Sequence, residues 1–265
     1  MIRRKNHKSF PRKLEDIVRK SLLEGSETLF RSNHCLICFT EIIPQIGWSD
    51  LISKDRTLTL CSTCEGKLQQ IAGPACRICD RPLQELDPRF VHDDTCNDCN
   101  RWEEAPNWKG CLDKNQSLFL YNDFLQEVIA RYKFRGDYIL AAIFSRFILQ
   151  KLTGLNADLL VPIPLSQERL QERAFNQAEA IIRVAGLQSA NILNRIHTEK
   201  QSKKSRFERI HVQQVFQLQP NTAISGKNII LFDDIYTTGS TLRHAAKVLI
   251  EAGAASVSSI TIARS

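Results

Sequence analysis

From Leu118 onward, short unbroken apolar runs alternate with stretches whose apolar residues recur every three or four positions. The first pattern marks strands buried on both faces, the second amphipathic helices. Leu118-Phe-Leu-Tyr121 reads as a strand and Asp123–Phe134 as a helix, followed by the turn Arg135-Gly136-Asp137 and a helix over Tyr138–Leu152. Asp158-Leu-Leu-Val-Pro-Ile-Pro164 is a further buried strand, stopped sharply by its two prolines. Residues 167–185 are helix-rich, Asn191–Ile196 and Asn228–Phe232 are strands, and a helix over Leu242–Ala252 leads into a last strand, Val257–Ala263. Strands and helices in this order predict an α/β domain, a mostly parallel sheet with helices on both faces.

The preceding residues follow neither pattern for long. Leu14, Ile17, Val18, Leu22 and Leu23 have near-helical spacing, whereas residues 1–13 carry Arg3, Arg4, Lys5, Lys8, Arg12 and Lys13 with too few apolar groups to fold alone. Between them and the α/β region lie eight of the nine cysteines, as the pairs Cys35/Cys38, Cys61/Cys64, Cys76/Cys79 and Cys96/Cys99. Each Cys-x-x-Cys knuckle supplies two corners of a tetrahedron, so four knuckles predict two structural zinc sites with no open coordination position. Two pairings fit the spacing. Sequential ribbons join the first pair to the second and the third to the fourth; a cross-braced module joins the first to the third. Ile71-Ala-Gly-Pro74 reads as a connector between similar halves and favours the sequential order. Cys111 stands apart and reads as a core residue, while His34 and His92 flank a thiolate set that is already complete. The organisation expected is a basic arm and short helix (1–31), a zinc-binding double ribbon (32–110) and an α/β domain (111–265).

Length and composition fit one large domain with a small one, at 265 residues and 43% hydrophobic. No apolar run is long enough to span a bilayer and the N-terminus lacks a signal-peptide core, so a cytoplasmic location is expected. The formal charge of +7 is uneven. Residues 1–20 hold eight basic against two acidic side chains, residues 21–110 nine against fourteen, and residues 111–265 nineteen against thirteen. The cysteine module is thus formally −5, before each tetrathiolate zinc adds about −2. The basic arm and the cationic loop from His197 to Arg209 read equally well as solvated faces or as anion contacts, so any salt-sensitive DNA binding is expected at residues 1–13 and 195–211, with the zinc module left for scaffolding or protein contact.

The chemistry gathers at Asn228-Ile-Ile-Leu-Phe-Asp-Asp-Ile-Tyr-Thr-Thr-Gly-Ser-Thr241. Adjacent carboxylates, Asp233 and Asp234, fall at the expected exit of a central strand, where open α/β sheets place their ligands. Thr237, Thr238, Gly239, Ser240 and Thr241 then offer hydroxyls, a glycine for close backbone approach and the N–H groups of a helix start, which together bind anions. Lys133 and Arg135, with Arg131, either cap the helix that ends there or present cations to a ligand.

Phe232 to Thr241 resembles the phosphoribosyl pyrophosphate (PRPP) motif of type I phosphoribosyltransferases. The ordered series of four Cys-x-x-Cys pairs, Tyr132-Lys-Phe-Arg-Gly-Asp137, Val161-Pro-Ile-Pro164, Arg173-Ala-Phe-Asn-Gln177, the 201–209 loop and the acidic motif resembles the ComF family over residues 32–265. The resemblance implies a type I phosphoribosyltransferase-like sheet behind a double zinc ribbon. It implies that Asp233 and Asp234 hold the ribose hydroxyls, that residues 237–241 hold the 5′-phosphate, and that magnesium accompanies PRPP. Arg209, Lys203, Lys133 or Arg135 would offset the pyrophosphate charge. It further implies a role in natural transformation, with single-stranded DNA and DNA-uptake motor or channel proteins as partners at the inner face of the membrane. Ala174 stands where the family usually has glycine, read as a mild change, and the usual asparagine after Glu208-Arg209 has no clear counterpart. Purine-salvage relatives place an aspartate base near the position of Thr237, and its absence from this chain argues against purine salvage and leaves the acceptor open. A phosphoribosyltransferase, a PRPP-sensing adaptor without turnover and a metabolic enzyme acting on another base or amine all use these same residues.

Overall fold

The computed structural model describes residues 34–43, 59–196 and 215–265. The basic arm, the 14–31 helix and the 197–209 loop with Lys203 and Arg209 lie outside the described residues.

The cysteine module contains α1 (Ser62–Lys67), a short antiparallel ribbon of β1 (Val91–His92) and β2 (Thr95–Cys96), and α2 (Asn97–Glu104). The α/β region follows with β3 (Asn115–Leu120), α3 (Asp123–Phe134), a 3-10 turn leading into α4 (Ala141–Leu152), and β4 (Leu159–Pro162). Next come α5 (Gln167–Arg173), α6 (Gln177–Val184), β5 (Leu193–Arg195), β6 (Phe216–Leu218), β7 (Asn228–Tyr236), α7 (Ser240–Glu251) and β8 (Ser256–Arg264). Four strands form a wholly parallel sheet in the order β3-β8-β7-β4. Its faces are covered separately. Leu160, Ile230 and Phe232 pack with α3, α4 and α6, while Val161, Ile229 and Leu231 pack with α7. That alternation follows from the two-residue period of a strand, and burial on both sides explains why these strands read as unbroken apolar runs.

One expected strand leaves the sheet. Asn191–Ile196 contributes only β5, which pairs antiparallel with β6, so the two strands form a ribbon flanking the undescribed 197–214 segment. The polar pair Asn194-Arg195 interrupts the apolar residues of this run, which fits an edge ribbon better than a doubly buried strand.

The cysteine module is stitched to the β3 edge. Asn115 N donates to Ile78 O at 2.7 Å, Ser117 N to Asp80 Oδ2 at 2.9 Å and Leu120 N to Gln69 O at 2.8 Å, so Gln69 and the Cys76/Cys79 knuckle occupy backbone groups that an edge strand would otherwise expose. Its halves then part. The half with Cys35 and Cys64 joins the α3/α4/α6 core, and the half with Cys76, Cys79, Cys96 and Cys99 joins the α7 core. The module therefore straddles one sheet edge and reaches both layers.

Candidate functional site

The site is created by where β4 stops. Its register with β7 ends at Pro162 opposite Phe232, and after Ile163 N donates to Phe232 O at 2.8 Å, Pro164 has no N–H to continue the ladder. Strand β7 runs on to Tyr236, paired only with β8, through Asp233 opposite Thr261 and Tyr236 opposite Arg264. The acidic pair thus lies within the strand, not after it, on a stretch whose β4 side is open.

Asp233 turns one carboxylate oxygen onto the backbone N–H of Asp234, at 2.9 Å. Asp234 Oδ2 lies 2.6 Å from Lys133 Nζ and 3.9 Å from Arg173 Nη1, all three side chains being largely buried. Burial, and then the charge of Asp234, push the Asp233 carboxyl up to about 7. Arg195, at the end of β5, lies close enough to Asp233 for their charges to interact, and burial followed by the Arg169 charge lowers its own pKa. Lys133, Arg173 and Arg195 thus gather around two adjacent carboxylates, of which Asp234 has the closest cation.

The motifs on α3 and α5 explain how these cations are delivered. Asn122 caps α3 through its side chain, and Tyr132 on the buried face donates its hydroxyl to Gln177 O at 2.8 Å, which directs Lys133 toward Asp234. Gly136, at φ +70°, makes the turn that brings Asp137 back to Arg131 Nε at 3.0 Å. Arg131 Nη1 also donates to Ile37 O in the first cysteine half, at 2.7 Å. In Arg173-Ala-Phe-Asn-Gln177, Ala174 takes the left-handed conformation at φ +65° that ends α5, which costs an alanine about 1 kcal/mol and makes the loss of glycine more than a mild change. Phe175 then packs on Tyr132 and Tyr138, and Asn176 both caps α6 and donates to Ile163 O at 2.9 Å. Gln177 Oε1 accepts from Arg173 Nη1 at 3.1 Å, leaving Arg173 Nε and Gln177 Nε2 as buried donors without an acceptor.

Arg135 caps α3 through its backbone N–H and is exposed, so on this helix it is Lys133 that meets the acidic pair. Arg209 lies outside the described residues. Arg173 and Arg195 were not assigned from the sequence, because nothing in their spacing reveals a partner some forty to sixty positions downstream.

Thr237 to Gly239 form the loop into α7, and Ser240 and Thr241 open its first turn. Gly239 takes φ +77° as the residue before the helix, and a Cβ there would lie 2.2 Å from Tyr236 Oη, so glycine is required for both conformation and space. The first turn of α7 has no acidic side chain, and helix geometry leaves its leading N–H groups without intrahelical acceptors. Ser240 N reaches Thr238 Oγ1 at 3.5 Å. The loop is held from outside by Trp102, whose Nε1 donates to Thr238 O at 3.0 Å.

Two further groups could each hold one metal ion. Cys35, Cys38, Cys61 and Cys64 form one and Cys76, Cys79, Cys96 and Cys99 the other, each with its sulfurs within 4.8 Å of one another. The grouping is sequential, not cross-braced. Cys38 and Cys61 sulfurs lie 3.7 Å apart and Cys79 and Cys96 sulfurs 3.6 Å, close to the ~3.8 Å edge of a tetrahedron with zinc–sulfur bonds of about 2.3 Å. Cys111 is buried, and burial raises its pKa, as expected of a core thiol.

A family model described as phosphoribosyl transferase domain matches residues 172–265. The chain is 39% identical over 235 residues to competence protein ComFC of Bacillus subtilis, covering 87% of this chain and 95% of that protein. It belongs to the ComF family. Competence protein ComFC of Streptococcus pneumoniae is 31% identical over 231 residues, covering 87% of this chain and 99% of that protein. DNA utilization protein YhgH of Escherichia coli K12 is 28% identical over 167 residues, covering 56% of this chain and 73% of that protein. This ComF protein thus has a type I phosphoribosyltransferase-like parallel sheet with helices on both faces, behind a cysteine-rich module compatible with a zinc ribbon. It is a competence-related phosphoribosyltransferase-like protein. Among its described residues no helix is long and apolar enough to cross a membrane.

Proposed function

We propose that this ComF protein binds PRPP with magnesium at the open end of β7 and uses that pocket in handling single-stranded DNA taken up during transformation, in the cytoplasm at the inner face of the membrane. The observation that carries the reading is the placement of Asp233 and Asp234 on the strand that leads into the start of α7, with Lys133 and Arg173 converging on Asp234. A carboxylate pair accepts hydrogen bonds from a vicinal diol, and the loop's N–H and hydroxyl groups suit a phosphate monoester. The buried donors Arg173 Nε and Gln177 Nε2 suit further anionic oxygens. PRPP joins these three features in one molecule, and magnesium would be held mostly by its pyrophosphate oxygens. In a transfer reaction a nucleophile would form a bond to ribose C1 as the C1–oxygen bond to pyrophosphate breaks. Asp233 and Asp234 would steady the cationic ribose, while Lys133 and Arg173 would move from Asp234 toward the departing anion. DNA is proposed because relatives carry competence and DNA-utilization names and because the positive charge sits in the arm and the 197–209 loop.

Pyrophosphate release from PRPP and magnesium, measured against a panel of bases with and without single-stranded DNA, tests this reading. It expects salt-sensitive DNA binding, and any release to require Asp234 and to respond to DNA. Robust turnover of one free base by a protein without DNA affinity would replace it with a metabolic activity.

A further inference from the structure

The second cysteine group touches the phosphate loop by two separate routes. Cys96 is the residue before α2 and Cys99 lies within it, and this helix carries Trp102 and Glu103. Trp102 Nε1 holds Thr238 O at 3.0 Å. Glu103 Oε1 accepts from Arg243 Nη1 of α7 at 2.8 Å, and the Arg243 side chain is fully buried. On the other route Arg264 Nη2 donates to Cys79 Sγ at 3.5 Å, while Nη1 of the same guanidinium donates to Tyr236 O at 3.1 Å and its carbon lies 5.0 Å from the Tyr236 ring centroid. Tyr236 is the side chain that lies against Gly239. The loop is therefore gripped at Thr238 from one side and supported beneath Gly239 from the other, and both supports originate in the same four thiolates. The first cysteine group lies in the opposite core and makes its polar contacts to α3 and α4 instead, through Arg131 to Ile37 O and Arg146 to Glu65.

We propose that the second cysteine site, with Trp102 as its positioning residue, sets the shape of the phosphate loop, so that metal held there and a ribose phosphate monoester bound at the loop strengthen each other's binding. This rests on the phosphate-loop reading above and adds to it a regulatory link. Two ligands that favour the same loop geometry must stabilise one another reciprocally, by the same factor in each direction. Helix α2 is only eight residues long, and Cys96 before it and Cys99 in its first turn tie its start to the second cysteine site. Release of the metal would free its first turn and with it the indole donor at Thr238.

The test uses the full-length, zinc-loaded protein. Zinc release to a chromogenic chelator is followed with and without ribose 5-phosphate, and ribose 5-phosphate binding is measured by calorimetry on the same sample. Cys38 is exposed and Cys61 half-buried, whereas all four ligands of the second group are buried, so the slower-released equivalent belongs to the second site. Ribose 5-phosphate is expected to slow that equivalent about tenfold and to leave the faster one unchanged. Trp102→Phe is expected to keep both zinc equivalents and its melting temperature, to bind ribose 5-phosphate about threefold to tenfold more weakly, and to lose most of the protection. Arg146→Ala, beside the first site, is expected to keep the protection whole. Binding without protection, or full protection in Trp102→Phe, overturns the coupling alone. Absence of ribose 5-phosphate binding to the native protein overturns the loop reading, and the coupling with it.

Discussion

At pH 8, Asp233→Asn is expected to melt higher than the native protein by on the order of 3 °C while binding PRPP at least about tenfold more weakly. The reason is the imbalance at the end of β7. Asp234 is matched by Lys133 at 2.6 Å and by Arg173 at 3.9 Å, whereas the direct contact of Asp233 is its neighbour's backbone N–H, and the charges of Lys133 and Arg195 offset its burial and the charge of Asp234 only in part. Burial and Asp234 raise the Asp233 carboxyl from its ordinary value of 3.8 to about 7. Between those two values the folded protein holds a proton that the unfolded chain has released, so this group's contribution to stability falls as pH rises from about 4 to about 7. Above pH 7 the full penalty is present, and the asparagine, which buries no charge but also forgoes the attraction of Lys133 and Arg195, is on the order of 1–2 kcal/mol better there. Below pH 4 both forms are neutral and the two proteins should melt alike. Ligand binding runs the other way. The carboxylate form accepts the ribose hydroxyls, so native affinity should rise through pH 7, while the variant should lack that rise. Melting curves from pH 4 to pH 8 check the sign; a variant less stable than the native protein at pH 8 would contradict it. Such a gain of stability on loss of function is expected where like charges are gathered for a ligand.

Cys99→Ser is expected to abolish the cooperative thermal transition of the whole α/β region, not only of the cysteine module. Structural zinc in small modules is worth on the order of 10 kcal/mol, comparable to the entire stability of a typical domain. Here the second cysteine group belongs to the core that covers Val161, Leu231 and Leu249. Its Cys76/Cys79 knuckle, through Ile78 and Asp80, also occupies the exposed edge of β3, so its loss would uncover a parallel strand and one face of the sheet. Differential scanning calorimetry of the variant, and of native protein stripped by chelator, tests this. A transition of unchanged enthalpy would show that the α/β domain stands without its metal.

The fold was legible where local chemistry and tertiary packing agree. Helix α3 spans the expected Asp123–Phe134 because Asn122 supplies a side-chain cap and Gly136 the turn beyond its end. Strands β4 and β7 were legible as apolar runs because both faces are buried. The acidic pair and its loop were legible because strand, carboxylates, glycine and helix start are contiguous. What could not be read are partnerships across the chain. Arg173 bonds Gln177 within its own motif, and its approach to Asp234 depends on the left-handed turn at Ala174. Trp102 reaches Thr238 across 136 residues, with no periodicity to announce it. The parting of the two cysteine halves onto opposite faces was equally silent, since the spacing of knuckles fixes ligand sets and not the surface they meet.

The central claim is that the end of β7 is a PRPP site, with the ribose on Asp233 and Asp234 and the 5′-phosphate on residues 237–241. Calorimetric titration of PRPP and magnesium at pH 8, into the native protein and into Asp233→Asn/Asp234→Asn, tests it most directly. The account predicts saturable one-to-one binding to the native protein, weakened by at least about a hundredfold in a double variant that remains folded. Equal affinity in the two proteins, or no binding to the native one, would contradict it.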